Sequence, residues 1–102
     1  MLLATRNITQ GDVRRFVVDY KDWLNKGYVL DAATATLALT AGGNASSVVA
    51  APSFNDSFTA IYVYVTAGNL NEAFTVSLQV KDTTGQTVND TLNFTVVSPS
   101  TG

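Results

Sequence analysis

The residues able to do chemistry are few and poorly grouped. Asp19 and Asp22 form the closest carboxylate pair, and Glu72 is the only glutamate. Paired carboxylates hydrolyse glycosidic bonds when their surroundings drive their pKa values apart. Aspartates at strand ends more commonly cap turns, which is the role expected of this pair. Asp19, Asp22, Asp31, Asp56 and Asp90 are hard oxygen donors suited to calcium, but they lack the Asp-x-Asp-x-Asp-Gly spacing of a calcium loop. The chain has no His and no Cys. That removes imidazole bases, His and thiolate metal ligands, thiol nucleophiles and disulfides. The expectation is a non-enzyme with no catalytic residue, no metal and no cofactor. Asn-x-Ser/Thr triplets start at Asn7, Asn44, Asn55, Asn89 and Asn93. They match the glycosylation pattern, and in a chain so rich in Asn, Ser and Thr they are taken as incidental.

Composition sets the next limits. The 102 residues suit one domain, taken as 1–102 with a flexible tail at 98–102. At 46% hydrophobic and 14% charged, the chain has apolar surface enough to fold. Six basic against eight acidic residues give a net charge of −2. Nucleic-acid partners are therefore not expected, since they require a dense basic face. Met1-Leu2-Leu3-Ala4 is apolar, but Thr5, Arg6 and Asn7 end the run before it reaches the length of a secretory signal. Apolar runs elsewhere fall far short of the roughly 20 residues of a membrane helix. A protein made in the cytoplasm from its own Met1, in preference to a trimmed domain with an added Met, and with no membrane partner, is the expectation.

What must position these residues is a set of strands. Ile61, Val63 and Val65 alternate with Ala60, Tyr62 and Tyr64; Phe74, Val76, Leu78 and Val80 alternate with Thr75, Ser77, Gln79 and Lys81. Leu92, Phe94 and Val96 repeat the pattern, as do Phe16, Val18 and Tyr20, and Ala35, Leu37 and Leu39. A first strand is read at 3–8 and a weaker one at 46–50. Turns are read at Gln10-Gly11-Asp12, Ala41-Gly42-Gly43-Asn44, Pro52-Ser53-Phe54-Asn55-Asp56, Ala67-Gly68-Asn69 and Thr83-Thr84-Gly85-Gln86. The last of these predicts a hairpin. A single helical turn over 20–25, with Asp19 as its cap and Gly27 near its end, is the one exception to an all-β reading. About seven short strands with one apolar face each predict an immunoglobulin-like antiparallel β-sandwich. The predicted core is Phe16, Val18, Trp23, Leu24, Leu37, Ile61, Val63, Phe74, Val76, Leu78, Leu92 and Phe94. Trp23→Ala is expected to cost roughly 3–5 kcal/mol.

A small body without reactive groups works through its surface. If Ile61, Val63 and Val65 face the core, Tyr62 and Tyr64 stand outside, either as contact residues or as a cross-strand pair that stabilises the sheet. Leu2 and Leu3 begin a strand or form an apolar arm. Asn44, Asn55 and Asn69 mark loop tips and complete the candidate interface. Arg14 and Arg15 cannot both point outward from a regular strand, so a bulge or an edge pairing is expected there.

The segment Arg15-Phe16-Val17-Val18-Asp19-Tyr20-Lys21-Asp22-Trp23-Leu24-Asn25-Lys26-Gly27 resembles a signature of small bacteriophage structural proteins. Among them is the fibre–tail adaptor type, which has an immunoglobulin-like fold. Ala67-Gly68 ahead of Phe74-Thr75-Val76, and Thr84-Gly85-Gln86 opening the last hairpin, extend the likeness over roughly residues 12–97. Tyr20 departs from it, standing where Trp is common, and 42–57 has no counterpart. The resemblance implies a virion protein in many symmetric copies, docking a fibre onto the tail or neck. Its partners would be other virion structural proteins of tail, neck, fibre or capsid. The alternatives are a capsid decoration protein and a carbohydrate-binding or adhesin domain of a surface protein.

Overall fold

A computed structural model describes residues 1–99, so 100–102 of the expected tail lie outside the described residues. The period-two runs form β1 (Leu2–Thr9), β2 (Val13–Asp19), β3 (Leu30–Leu39), β4 (Val48–Val49), β5 (Ser53–Phe54), β6 (Ala60–Thr66), β7 (Ala73–Asp82) and β8 (Thr87–Val97). One sheet has the order β1-β8-β7-β3; the other has β2-β6-β4, with β5 also on β6. Strands β2, β4/β5 and β6 against β3, β7 and β8 follow the two-sheet division of an immunoglobulin-like sandwich.

Two features differ from the antiparallel, seven-strand expectation. β1 runs parallel to β8, so the first sheet is mixed. The Gln10-Gly11-Asp12 turn therefore carries the chain from one sheet to the other and does not close a hairpin. The Gly11 N–H donates to Ala67 O and the Ala67 N–H to Asp12 O, tying this crossing to the end of β6. Ser53 and Phe54, read as turn, form the short β5 instead. Pro52 has no N–H to give, and Ala50-Ala51-Pro52 divides β4 from β5.

The core lies between β6 on one side and β7 and β8 on the other. Ile61, Val63, Val65, Phe74, Val76, Leu78, Val80, Leu92, Phe94 and Val96 are all buried. Phe94 stacks on Phe74 at 5.2 Å and meets Phe16 of the opposite sheet at 4.9 Å, so one ring joins both layers. Phe16, Val18, Trp23, Leu24 and Leu37 are partly buried and pack on the margin of this cluster. The 20–25 segment makes one hydrogen-bonded turn, with the Trp23 and Leu24 N–H groups both donating to Tyr20 O (3.0 Å). Asp19 Oδ1 accepts from the Lys21 N–H at 2.9 Å. Tyr20 is buried, and its hydroxyl donates to Asp90 Oδ2 at 2.9 Å. Trp23 meets Tyr20 edge-on at 6.0 Å.

The margin position of Trp23 changes what its truncation should cost. Phe94→Ala is expected to lose about 3–5 kcal/mol, a large part of a small domain's stability. Trp23→Ala should lose distinctly less, and urea unfolding of the two variants gives the comparison.

Candidate functional site

The outer face of the second sheet is set by register. Pairing of β2 with β6 runs without a shift from Val13↔Thr66 to Asp19↔Ala60. Phe16 and Val18 therefore face inward opposite Val63 and Ile61, while Val13, Arg15 and Val17 stand outward beside Thr66, Tyr64 and Tyr62. On the other flank Val48 pairs with Thr66 and Ser53 with Tyr62. No bulge separates Arg14 from Arg15: Arg14 takes the core-facing side at the sheet edge, opposite Val65. The Arg15 guanidinium lies 4.8 Å from the Tyr62 ring centre, a cation–π contact between diagonal neighbours. Val13 is 61% exposed, Val17 53%, Val48 57% and Tyr64 42%. Aliphatic and tyrosine side chains with one arginine among them make up a face of interface composition.

The outer face of the first sheet has a different chemistry. Thr34 and Thr36, Thr75, Ser77 and Gln79, and Thr91, Asn93 and Thr95 point away from the core. The Thr75 hydroxyl donates to Asn93 Oδ1 at 2.8 Å. The two faces thus offer a neighbour two distinct kinds of contact.

The candidate interface residues do not gather into one surface. Tyr62 and Tyr64 lie on the second sheet's face, with Tyr62 half-buried. Strand directions put Asn44 and Asn69 together at the end of the sandwich where β1 finishes and β2 starts. Leu2, Leu3 and Asn55 belong to the opposite end. Leu3 lines a cleft of about 290 Å³ between β1 and β2, with Phe16, Val18 and Leu92. Asn55 is used internally: its Oδ1 accepts from the Thr59 and Ala60 N–H groups and its Nδ2 donates to Thr59 Oγ1. In the same turn Phe58 has φ 54°, the left-handed region where Gly or Asn is usual, and its ring is 5.5 Å from Phe54.

The carboxylates serve the scaffold. Among the described residues no three His, Cys, Asp or Glu side chains gather into a set able to hold a metal ion. Glu72 accepts from the Ser46 N–H, the Ser47 N–H and the Ser47 hydroxyl, and the Ser46 and Ser47 hydroxyl oxygens accept from the Asn69 and Gly68 N–H groups, respectively. Gly68 is needed for this approach, because a β-carbon there would overlap Ser46 and the Ser47 nitrogen. The Ser46 backbone N–H, and then the Ser47 hydroxyl, hold the Glu72 carboxyl down at about 2. Asp82 is lowered too, chiefly by the Thr84 hydroxyl, and its Oδ1 also takes the Thr84 and Gln86 N–H groups of the final hairpin. Burial, then the bond to Asp90, raises the Tyr20 phenol well above its ordinary range.

Geometry of this kind describes a body that presents surfaces, and comparison with known proteins agrees. The family model described as podophage GP4 fiber-tail adaptor protein gp77 matches residues 9–95. The chain belongs to that fiber-tail adaptor family. No curated protein matches it. Membership makes the adaptor a structural component of the phage tail, binding other virion structural proteins. Of the three readings raised by the sequence, docking at the tail is the one that fits.

Sequence reasoning missed the Glu72 anchor and the Tyr20–Asp90 bond, which join residues far apart in the chain, and it read Asn55 as a free loop tip although its partners lie only four and five residues on. Ionised Glu72 is favoured by the folded state, so its stabilisation is present above about pH 4.5 and is lost as pH falls through about 2. Asp82 acts in the same direction. The urea midpoint should fall across that window. Glu72→Gln should lower it at pH 7 and flatten its acid dependence, and Gly68→Ala should lower it at every pH.

Proposed function

We propose that the outer face of the second sheet is the surface by which this adaptor docks a fibre onto the tail. The observation that carries the reading is the continuous patch of Val13, Val17, Tyr62, Tyr64 and Val48, which holds one cation, Arg15, seated on a tyrosine ring. Tyrosine and arginine give large contact area with directional groups, and they dominate binding energy at protein interfaces. A patch that leaves four large apolar side chains at 42–61% exposure is covered in the assembled particle. The hydroxyl- and amide-rich face of the first sheet and the loop tips at Asn44 and Asn69 lie outside this patch and stay free for the other partner. Many copies act together, arranged by the symmetry of the tail, and the chain folds in the host cytoplasm before assembly. Weak individual contacts then add through multivalency.

The test separates folding from docking. Tyr62→Ala with Tyr64→Ala should change stability by about 1–2 kcal/mol, the scale of two cross-strand contacts. Exposed Val17→Asp should cost less still. Both variants should remain folded, and their incorporation into fibre-bearing tails, measured by quantitative mass spectrometry of purified particles, should drop at least tenfold. Normal incorporation of both would remove this face from the interface.

A further inference from the structure

A finite sheet ends in strands with unpaired backbone groups, and proteins block such edges with charges, bulges, proline or short strands. Three of the four edges here carry such blocks. β1 has a register shift between Leu2 and Ala4, and Arg6 stands on its core-facing side opposite Phe94. β2 sets Arg14 on its core-facing side opposite Val65. The β4/β5 edge is two residues, then Ala50-Ala51-Pro52, then two more. β3 differs. Its register shift and its one charge, Asp31, lie at the start, and from Ala32 to Leu39 it reads Ala-Ala-Thr-Ala-Thr-Leu-Ala-Leu in unbroken register with β7. Among the described residues its other side pairs with no strand.

A groove of about 520 Å³ runs along this open edge. Ala35, Leu37 and Leu39, the core-facing residues of β3, form one wall, and Asn44, Ala45 and Val48 belong to the other. Neither wall carries a charge. The three β3 residues are only partly buried, whereas Val76, Leu78 and Val80 on the neighbouring β7 are fully covered. The apolar face of β3 is thus incompletely covered on this side. The far wall is fixed in place, because Glu72 holds the adjoining Ser46 and Ser47.

We infer that the slot beside β3 receives an extended, uncharged segment of another virion protein, which adds to the sheet as a further strand. The inference rests on the adaptor reading and names a second surface for it. The unpaired edge calls for a strand, and the partly covered Ala35, Leu37 and Leu39 call for apolar side chains at alternate positions. A second copy of the chain is the weaker occupant. Its other edges are blocked, which leaves β3 against β3, and that pairing would bring a second 43–49 segment into the same slot.

Hydrogen–deuterium exchange with mass spectrometry on tails from purified particles, set beside the isolated chain, tests this. Amides of 32–39 should exchange at least tenfold more slowly in tails. Ala35→Lys, with β7 amides still protected in the isolated variant, should reduce incorporation at least tenfold. Because the chain has no cysteine, Thr36→Cys carrying a photo-crosslinker reports the neighbour uniquely, and a peptide of another virion protein is expected. Unchanged exchange of 32–39 in tails that contain the chain would overturn the slot while leaving the adaptor reading intact. A crosslink to a second copy, or a dimer of the isolated chain that protects 32–39, would overturn it as well. Absence of the chain from fibre-bearing tails would overturn the adaptor reading itself, and the slot with it.

Discussion

The register of β7 against β8 is the constraint on which the remainder of the structure depends. It sets Phe74 opposite Phe94, Val76 opposite Leu92 and Val80 opposite Val88. A slip of β8 by one residue would turn Val88, Leu92 and Phe94 outward and bring Asn93 and Thr95 into the core. Phe94 then transmits the register to the second sheet through Phe16, and β2 carries it to β6. Inward Ile61, Val63 and Val65 oblige Tyr62 and Tyr64 to face out. The surface assigned to docking is in this sense the complement of the core: no side chain on it could move inward without displacing a buried partner.

Much of this was legible because a period of two is a local property. The runs at Ile61, Phe74, Leu92 and Leu37 announce their strands and the sides those strands bury. The limits of the strands were less legible. β8 begins at Thr87, ahead of its aromatic run, and β7 extends to Asp82. In both places an aspartate occupies the inward position, Asp90 opposite Leu78 and Asp82 at the end of β7, and so breaks the apolar alternation. Asp90 is tolerated inside because it receives the Tyr20 hydroxyl, and Asp82 because its Oδ1 gathers the hairpin's donors, while its Oδ2 is buried with no partner among the described residues. The parallel pairing of β1 with β8 left no mark at all, since partners about 90 positions apart impose no local pattern on either strand.

The candidate site divides in the same way. The outward tyrosines follow from alternation, but Val13, Val17 and Val48 join them only through pairings between separate strands. Asn44, Asn55 and Asn69 looked alike as polar tips. In the fold Asn55 is consumed by its own turn, and the other two flank the loops that Glu72 ties together. A single glutamate in a chain of 102 residues is a weak signal. Two serines and a glycine that must approach it closely are weaker still before the loops are placed.

An adaptor has to satisfy two demands that conflict in a small β domain. It must stay monomeric enough to fold and reach its place, which favours blocked edges and a charged exterior. It must also hold two neighbours, which favours open edges and apolar area. Arginines set toward the core on β1 and β2, and a proline between β4 and β5, meet the first demand on three edges at little cost to the core. On the proposed reading the second would be met where the structure is already committed: on a sheet face whose outward residues are dictated by the core behind them, and along β3, where the far wall of the groove is held by a carboxylate that stays ionised in all but strong acid. Both surfaces are organised before any partner arrives. The ordering entropy of the proposed docking would therefore fall on the partner's segment more than on the adaptor, an arrangement that favours useful affinity in a body of this size.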